Sequence, residues 1–487
     1  MNIPCEYINE KFLPSGMVIE LKKRLSQKRN HKHLKSGLDQ MAAIDKMEKT
    51  GKKQESDSSE DFNSELFLLL FSGVAAFFTY FCMYAFRKPF AAASYANISG
   101  WEFTLDFKTA LIISQVLGYA FSKIIGIKVV SELRPLQRGR MLVILILFSH
   151  LALIAFALIP APYNVVMLFF NGLPLGMVWG LVFSYLEGRR LTEALGTILC
   201  VSLIVSSGAV KAVAAYLMLE WKVPEIWMPA TVGLLFLPAL ILSTFTLSRI
   251  PQPNQADIRA RKQRVPMTNE MRWTFVNETN LGLLALIIAY VFLTAFRDFS
   301  DNFAAELWQA LGHGQAPQIF LTSTLPVALI VLASLALLIF VRNNYRALQL
   351  NQLLVAAGGA ICITSTLAFE LDIVSGAAWM IGINIGLYIG YVPFNCLLFE
   401  RLVACTKSLG NAGFVIYLAD SAGYIGSISV MLYKTFAQPN LNWLQFTQQL
   451  SYATGFACIL LMLLSLLFFR RLHRNSSSRL RLITSPV

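Results

Sequence analysis

The chain alternates between long apolar stretches and short polar breaks. Apolar residues run over 66–95, 107–130, 140–160, 163–187, 195–219 and 225–248. After a polar interval they resume over 281–308, 316–341, 349–368, 374–399, 408–434 and 444–469. Runs of about 20 residues cross a hydrocarbon core of about 30 Å at 1.5 Å per residue. A helix satisfies its own backbone groups where no water can, so runs of this length in lipid are helices. The pattern predicts an all-α protein of twelve transmembrane helices in two six-helix bundles. The expected layout is a disordered tail over 1–63, helices over 64–248, a linker over 249–280, helices over 281–470 and a second tail over 471–487.

Composition points the same way. Of 487 residues, 56% are hydrophobic and 14% charged, with a mean hydropathy of +0.57. A soluble protein carries about 25% charged residues. The net charge of +13 would suggest nucleic acid in a soluble chain, but here the basic residues gather in alternate connections. These hold Arg134, Arg138 and Arg140, then Arg189 and Arg190, then Arg259, Arg261, Lys262 and Arg264 of the linker. Arg342 and Arg346 follow, then Arg401 and Lys407, then Arg470, Arg471 and Arg474. The other connections are poor in Lys and Arg, so both termini are expected in the cytoplasm, with the protein in the cytoplasmic (inner) membrane. No nucleic-acid partner is expected, because no folded basic domain is present. The seven cysteines show no CxxC or Cys/His spacing, and the five histidines are scattered, so no metal site, cofactor or disulfide framework is expected. No nucleophile–base set or nucleotide loop marks an enzyme.

The halves echo each other at an offset of about 210–214 residues. Phe86-Arg87 leads to Phe90-Ala91-Ala92, and Phe296-Arg297 leads to Phe303-Ala304-Ala305. Gly172-Leu173-Pro174-Leu175-Gly176 matches Gly386-Leu387-Tyr388-Ile389-Gly390, Leu195-Gly196 matches Leu409-Gly410, and Ser206-Ser207 matches Asp420-Ser421. An arginine at the centre of an apolar helix costs about 2.5 kcal/mol or more and by default marks a site. Two of them, at matching places, suggest one anion site built twice. A guanidinium stays charged and offers a planar fork to phosphate or carboxylate. The competing reading is structural, with Arg87 near a helix end and snorkelling to headgroups.

Other polar residues inside the apolar runs join the candidate list. Tyr119 and Lys123 are one turn apart on one face. Asn384, Tyr388, Tyr391 and Asn395 follow i, i+4, i+7, i+11, a polar stripe that suits a pore lining or interhelical hydrogen bonds. Asp298 and Asp301 flank Arg297, and Asp301, four residues on, is placed for an intrahelical ion pair or a gate. Asp420 is a candidate proton carrier or a partner for Lys211, and Lys211 is placed for the pore or for a carboxylate of the seventh helix. Lys88 is expected to meet lipid or a loop, and Pro89 after it breaks a helical hydrogen bond.

These features resemble the organophosphate:phosphate antiporters, a branch of the major facilitator superfamily of parallel six-helix repeats. The resemblance rests on Arg87-Lys88, Tyr119-Ala120-Phe121-Ser122-Lys123, Trp227-Met228-Pro229-Ala230 and Gly423-Tyr424-Ile425-Gly426. It implies that Arg87 and Arg297 bind substrate phosphate with help from Lys123. The chain departs from the pattern in the stretched segment Gly126–Arg134 and in its fifth helix, where the resemblance implies a histidine and the chain has none, though Lys211 lies there. Substrate binding is thus expected at Arg87, Arg297, Lys123, Tyr119, Tyr391 and Asn395. Coupling or gating is expected at Asp298, Asp301, Asp420 and Lys211. The implied function is secondary transport of a small anion, an organic phosphate, in exchange for inorganic phosphate or with protons. A membrane sensor of such a ligand and a proton-coupled exporter of another solute are the alternatives. A monomer is expected.

Overall fold

A computed structural model describes residues 67–487 except 97, 188, 190–191, 253–256, 258–268, 407–411 and 485–487. The expected tail over 1–63, the linker residues Arg259, Arg261, Lys262 and Arg264, and Arg190, Lys407, Leu409 and Gly410 lie outside the described residues. Up to Leu70 only 67–70 are described, and they are helical; from Phe71 the chain forms a second compact unit.

The first six long helices are α1 (Phe67–Tyr84), α2 (Phe107–Glu132), α3 (Pro135–Leu158), α4 (Val165–Leu186), α5 (Thr192–Leu219) and α6 (Met228–Ser248). The second six are α7 (Asn269–Asn302), α8 (Ile319–Ile339), α9 (Asn344–Glu370), α10 (Gly376–Cys396), α11 (Ala412–Leu432) and α12 (Trp443–Thr484). Among the described residues, eleven of these helices are long and apolar enough to cross a bilayer. Local chemistry sets the starts. Asp106 accepts from the Thr109 N–H at 3.0 Å ahead of α2, Asn343 from Arg346 at 3.0 Å ahead of α9, and Ser375 from Ala378 at 3.3 Å ahead of α10. Each satisfies an N–H that the first turn leaves free.

Three boundaries depart from the expectation. The linker expected over 249–280 is shortened, because α7 begins at Asn269. The tail expected from 471 continues α12 to Thr484. The run expected over 66–95 is broken: α1 ends at Tyr84, and Pro89–Ala92 form a separate 3-10 turn.

Packing repeats between the halves. Helix α2 packs on α4, α3 on α4 and α3 on α6; α8 packs on α10, α9 on α10 and α9 on α12. The halves meet where α2 touches α11 and α5 touches α8. Advancing each member of one pair by six helices, or returning it by six, gives the other, which is pseudo-two-fold symmetry. Close approach is allowed by glycine: a side chain on Gly118 or Gly172 would strike the backbone at Phe169 or Gln115 where α2 meets α4. Helices α5, α7 and α10 are mostly buried, whereas α6 turns Leu234, Leu235, Leu242 and Phe245 outward at 55–66% exposure. An apolar flank of that kind suits lipid.

The two ends of the helix bundle are marked by contacts between connections. At one end Arg401, in the short helix Leu398–Cys405, bonds Glu193 and Asn344 at 2.8 Å each. Arg138 bonds the Ser184 carbonyl at 3.0 Å, and Tyr345 stacks on His473 at 4.1 Å. This is the end rich in arginine. At the opposite, far end Glu225 accepts from the Tyr95 N–H at 2.9 Å and Lys108 meets Glu306 at 2.6 Å.

Candidate functional site between the two halves

Between the halves lies a cavity of about 710 Å³. Its inner wall includes Arg87, Tyr119, Lys123, Arg297, Tyr391, Asn395 and Asp420. Its mouth, at the arginine-rich end, includes Arg138, Glu187, Glu193, Arg272 and Glu400.

The break after α1 positions Arg87. Pro89 has no N–H to continue the helix, so carbonyls that an unbroken helix would use are freed. Polar side chains of the neighbouring helices take them. Asn171 Nδ2 donates to the Phe86 carbonyl at 2.9 Å, Gln115 Nε2 to the Arg87 carbonyl at 3.0 Å, and Lys108 Nζ to the Ala91 carbonyl at 2.9 Å. Gln115 also donates to Asn171 Oδ1 at 2.7 Å. The segment is thus braced from α2 and α4.

The two arginines have different partners. The Arg87 guanidinium lies 4.2 Å from the Tyr119 ring centre and 5.7 Å from that of Tyr84. Its Nε is buried without a hydrogen-bond partner, and no carboxylate pairs with it among the described residues. Arg297 lies 4.0 Å from the Tyr391 ring centre, but its Nη2 and Nε donate to Asp298 Oδ1 at 2.6 and 3.2 Å. Asp298 Oδ2 in turn accepts from Ser427 at 2.9 Å. Ring faces attract cations and leave the guanidinium edge free for an anion.

Lys123 crosses between halves to Asp420 at 3.1 Å, and the Tyr290 hydroxyl donates to Asp420 at 2.6 Å. Of the two readings of Asp420, proton carrier or partner for Lys211, the pairing with Lys211 does not form; Asp420 takes Lys123, because α2 and α11 are neighbours. Asn395 donates back to the Tyr391 carbonyl at 3.3 Å.

The cavity is closed toward the far end by a second set of charges. Lys88 Nζ and Lys211 Nζ both reach Asp301 at 2.6 Å, and Ser207 donates to Asp301 at 2.5 Å. Lys88 also donates to Asn302 at 2.8 Å. Lys108 and Glu306 pair beside them, and burial raises the Glu306 carboxyl above its ordinary value while Lys108 pulls it down. Lys88, expected at lipid or a loop, meets neither and pairs with Asp301 of α7. Of the two readings of Asp301, the ion pair with Arg297 one turn away does not form; its carboxylate takes the two lysines at the far end. The polar stripe of α10 is also divided: Tyr391 and Asn395 face the cavity, while Asn384 and Tyr388 line a small pocket beside Lys211 and Asp301.

Sequence reasoning passed over Gln115, Asn171, Lys108 and Glu306. The signal was present in Pro89, since a proline in an apolar run demands side-chain donors nearby. It also passed over Tyr80 and Tyr290, which stand 210 residues apart, the same offset as Arg87 and Arg297.

The model of a family of unknown function, DUF5690, matches residues 89–472. No curated protein matches the chain by sequence. Among solved structures, a D-xylose-proton symporter is similar with a TM-score of 0.57 at 13% identity, over 82% of this chain and 97% of that one. The nucleoside transporter NupG is similar with a TM-score of 0.54 at 12% identity, over 82% and 99%. A bacterial homologue of the human lysosomal transporter Spinster, in an inward-facing and unoccupied conformation, gives 0.54 at 10% identity, over 83% and 96%. At these identities the likeness shows the fold, which is the major facilitator fold.

Proposed function

The chain belongs to DUF5690, a family of unknown function, and from that starting point we propose a secondary active transporter that moves a small anionic solute by alternating access. One observation carries the reading: a half-buried guanidinium, Arg87, faces a central cavity with its Nε buried and unbonded and, among the described residues, no carboxylate on it. A cation with a buried donor left unpaired is costly, and an anionic ligand removes that cost. Arg297 from the other half and Lys123 from beside Tyr119 are further donors once their own carboxylates are displaced. Phosphate esters, expected from the sequence resemblance, and carboxylates are the two anion classes that a guanidinium fork recognises.

With the arginine-rich end assigned to the cytoplasm by the positive-inside rule, the cavity is open inward. The Asp301 and Glu306 ion pairs then form the outer closure that must part when the halves rock. Lys123 and Asp420 support coupling to protons. Protonation of Asp420 from the open cavity would release Lys123 to the anion, and deprotonation would recapture it. Exchange for inorganic phosphate is the other mode, with the lysine released by the counter-anion alone.

Uptake by proteoliposomes containing the purified chain tests the proposal. The expected result is saturable flux of an anion that Arg87→Gln removes. Saturable flux of neutral solutes only, unaffected by Arg87→Gln, would overturn it.

A further inference from the structure

Among the described residues, three cations face the inner cavity, and two of them already have carboxylates. Arg297 is held by Asp298 at 2.6 Å and Lys123 by Asp420 at 3.1 Å. One positive charge is left over, and it is Arg87. The lysines on Asp301 do not line this cavity. At the mouth, the described lining residues Arg138 and Arg272 stand with Glu187, Glu193 and Glu400, and Arg401 reaches Glu193 from beside it.

The wall that leads away from Arg87 is aromatic and uncharged. Tyr84 touches Arg87, and its ring centre lies 5.5 Å from that of Tyr80. Tyr80 meets Trp179 edge to face at 5.1 Å. Trp179 and Phe183, one turn apart on α4, are parallel within 5° at 6.4 Å. All five side chains line the cavity, with Phe183 nearest the mouth end of α4. The volume, about 710 Å³, lies within the range of about 300–1,000 Å³ typical of sites for ligands of drug size. Inorganic phosphate would leave most of it to water.

We propose that the cavity takes a singly charged organic anion with a flat aromatic body, an aromatic carboxylate, in preference to a doubly charged phosphate ester. The proposal deepens the anion-transporter reading and rests on it. The carboxylate meets Arg87, and the ring lies along Tyr80, Trp179 and Phe183, whose faces offer offset or edge contacts. A second negative charge would enter a site with no cation to spare. It would have to displace Asp298 or Asp420, leaving that carboxylate buried and unpaired.

The test is calorimetric titration of the purified full chain at pH 8, above the second phosphate-ester pKa of about 6. The probes are indole-3-acetate, phenyl phosphate, glycerol 3-phosphate and the neutral indole-3-ethanol. Indole-3-acetate is expected to bind at least tenfold tighter than the others. Trp179→Leu should weaken it about tenfold and Trp179→Phe less than threefold. Asp298→Asn, which releases Arg297, should raise affinity for phenyl phosphate relative to indole-3-acetate by tenfold or more. That variant keeps the charge argument testable if Trp179→Leu does not fold. Tighter binding of either phosphate ester to the native chain, lost in Arg87→Gln, would overturn this inference and leave the anion reading standing. Equal binding of indole-3-ethanol, unchanged by Arg87→Gln, or no saturable binding of any anion at millimolar concentration, would overturn both.

Discussion

Arg87 and Arg297 occupy equivalent places in the two halves, yet they are chemically unlike. Each follows a phenylalanine, and each lies about 4 Å from a tyrosine ring centre, 4.2 Å for Tyr119 and 4.0 Å for Tyr391. The next residue separates them. In the second half it is Asp298, which binds the guanidinium through Nε and Nη2. In the first half it is Lys88, which turns to the far end and meets Asp301. The two halves carry the same cation at matching positions, and one differing neighbour leaves one charge free and neutralises the other. Symmetry of sequence therefore does not give symmetry of function, and the ligand charge is expected to rest on the first half.

This contrast can be broken by substitution. The largest effect is expected at Arg87. Arg87→Gln should weaken anion binding by about 3 kcal/mol or more, above a hundredfold, with little change in melting temperature. Titration calorimetry and a thermal melt check both parts. Arg297→Gln should do the reverse and destabilise the fold by roughly 3–5 kcal/mol, because Asp298 is left buried with only the Ser427 hydroxyl and no cation. The pair Arg297→Gln with Asp298→Asn should recover most of that loss in a denaturation series. If Arg297→Gln alone leaves the melt unchanged, the neutral-pair description of the second half is wrong. Asp301→Asn removes the carboxylate that holds both Lys88 and Lys211. A cysteine introduced at Ala92 should then react several-fold faster with a membrane-impermeant maleimide added from outside. The smallest effects are expected at the rings. Tyr119→Leu should cost binding about 1 kcal/mol, within the range of about 0.5–2 kcal/mol for a cation on a ring face. Tyr391→Leu should cost less, since Asp298 still holds Arg297.

Much of the fold was legible because lipid imposes a simple demand on sequence. Apolar runs of sufficient length gave twelve helices, and the alternation of basic connections gave their grouping at one end. The same signal failed where helices leave the apolar layer. The start of α7, from Asn269 to about Leu281, is too polar to register as a membrane span, and hydropathy does not report helicity. The candidate site was legible as a set of residues but not as a set of pairs. Lys211 and a carboxylate of the seventh helix were foreseeable partners, and Asp301 fills that role at 2.6 Å. The choice of Asp298 over Asp301 by Arg297 was not foreseeable from spacing. Spacing alone places Asp301 one turn away, but the carboxylate is drawn off by two lysines from the other half. The aromatic run of Tyr80, Trp179 and Phe183 was hidden for another reason: in an apolar helix an aromatic residue facing a cavity reads the same as one facing lipid.

Arg87 and Lys88 share one peptide bond, and they serve opposite ends of the chamber. The first reaches into it, and the second grips Asp301 at its far end. The 3-10 turn behind them is pinned by Gln115, Asn171 and Lys108, so the pair has little freedom to move separately. On the transporter reading proposed above, a cargo that tugs one side chain must also tilt the other. The braced turn is then a rocker arm, able to relay arrival of the load to the latch across the span of a single residue.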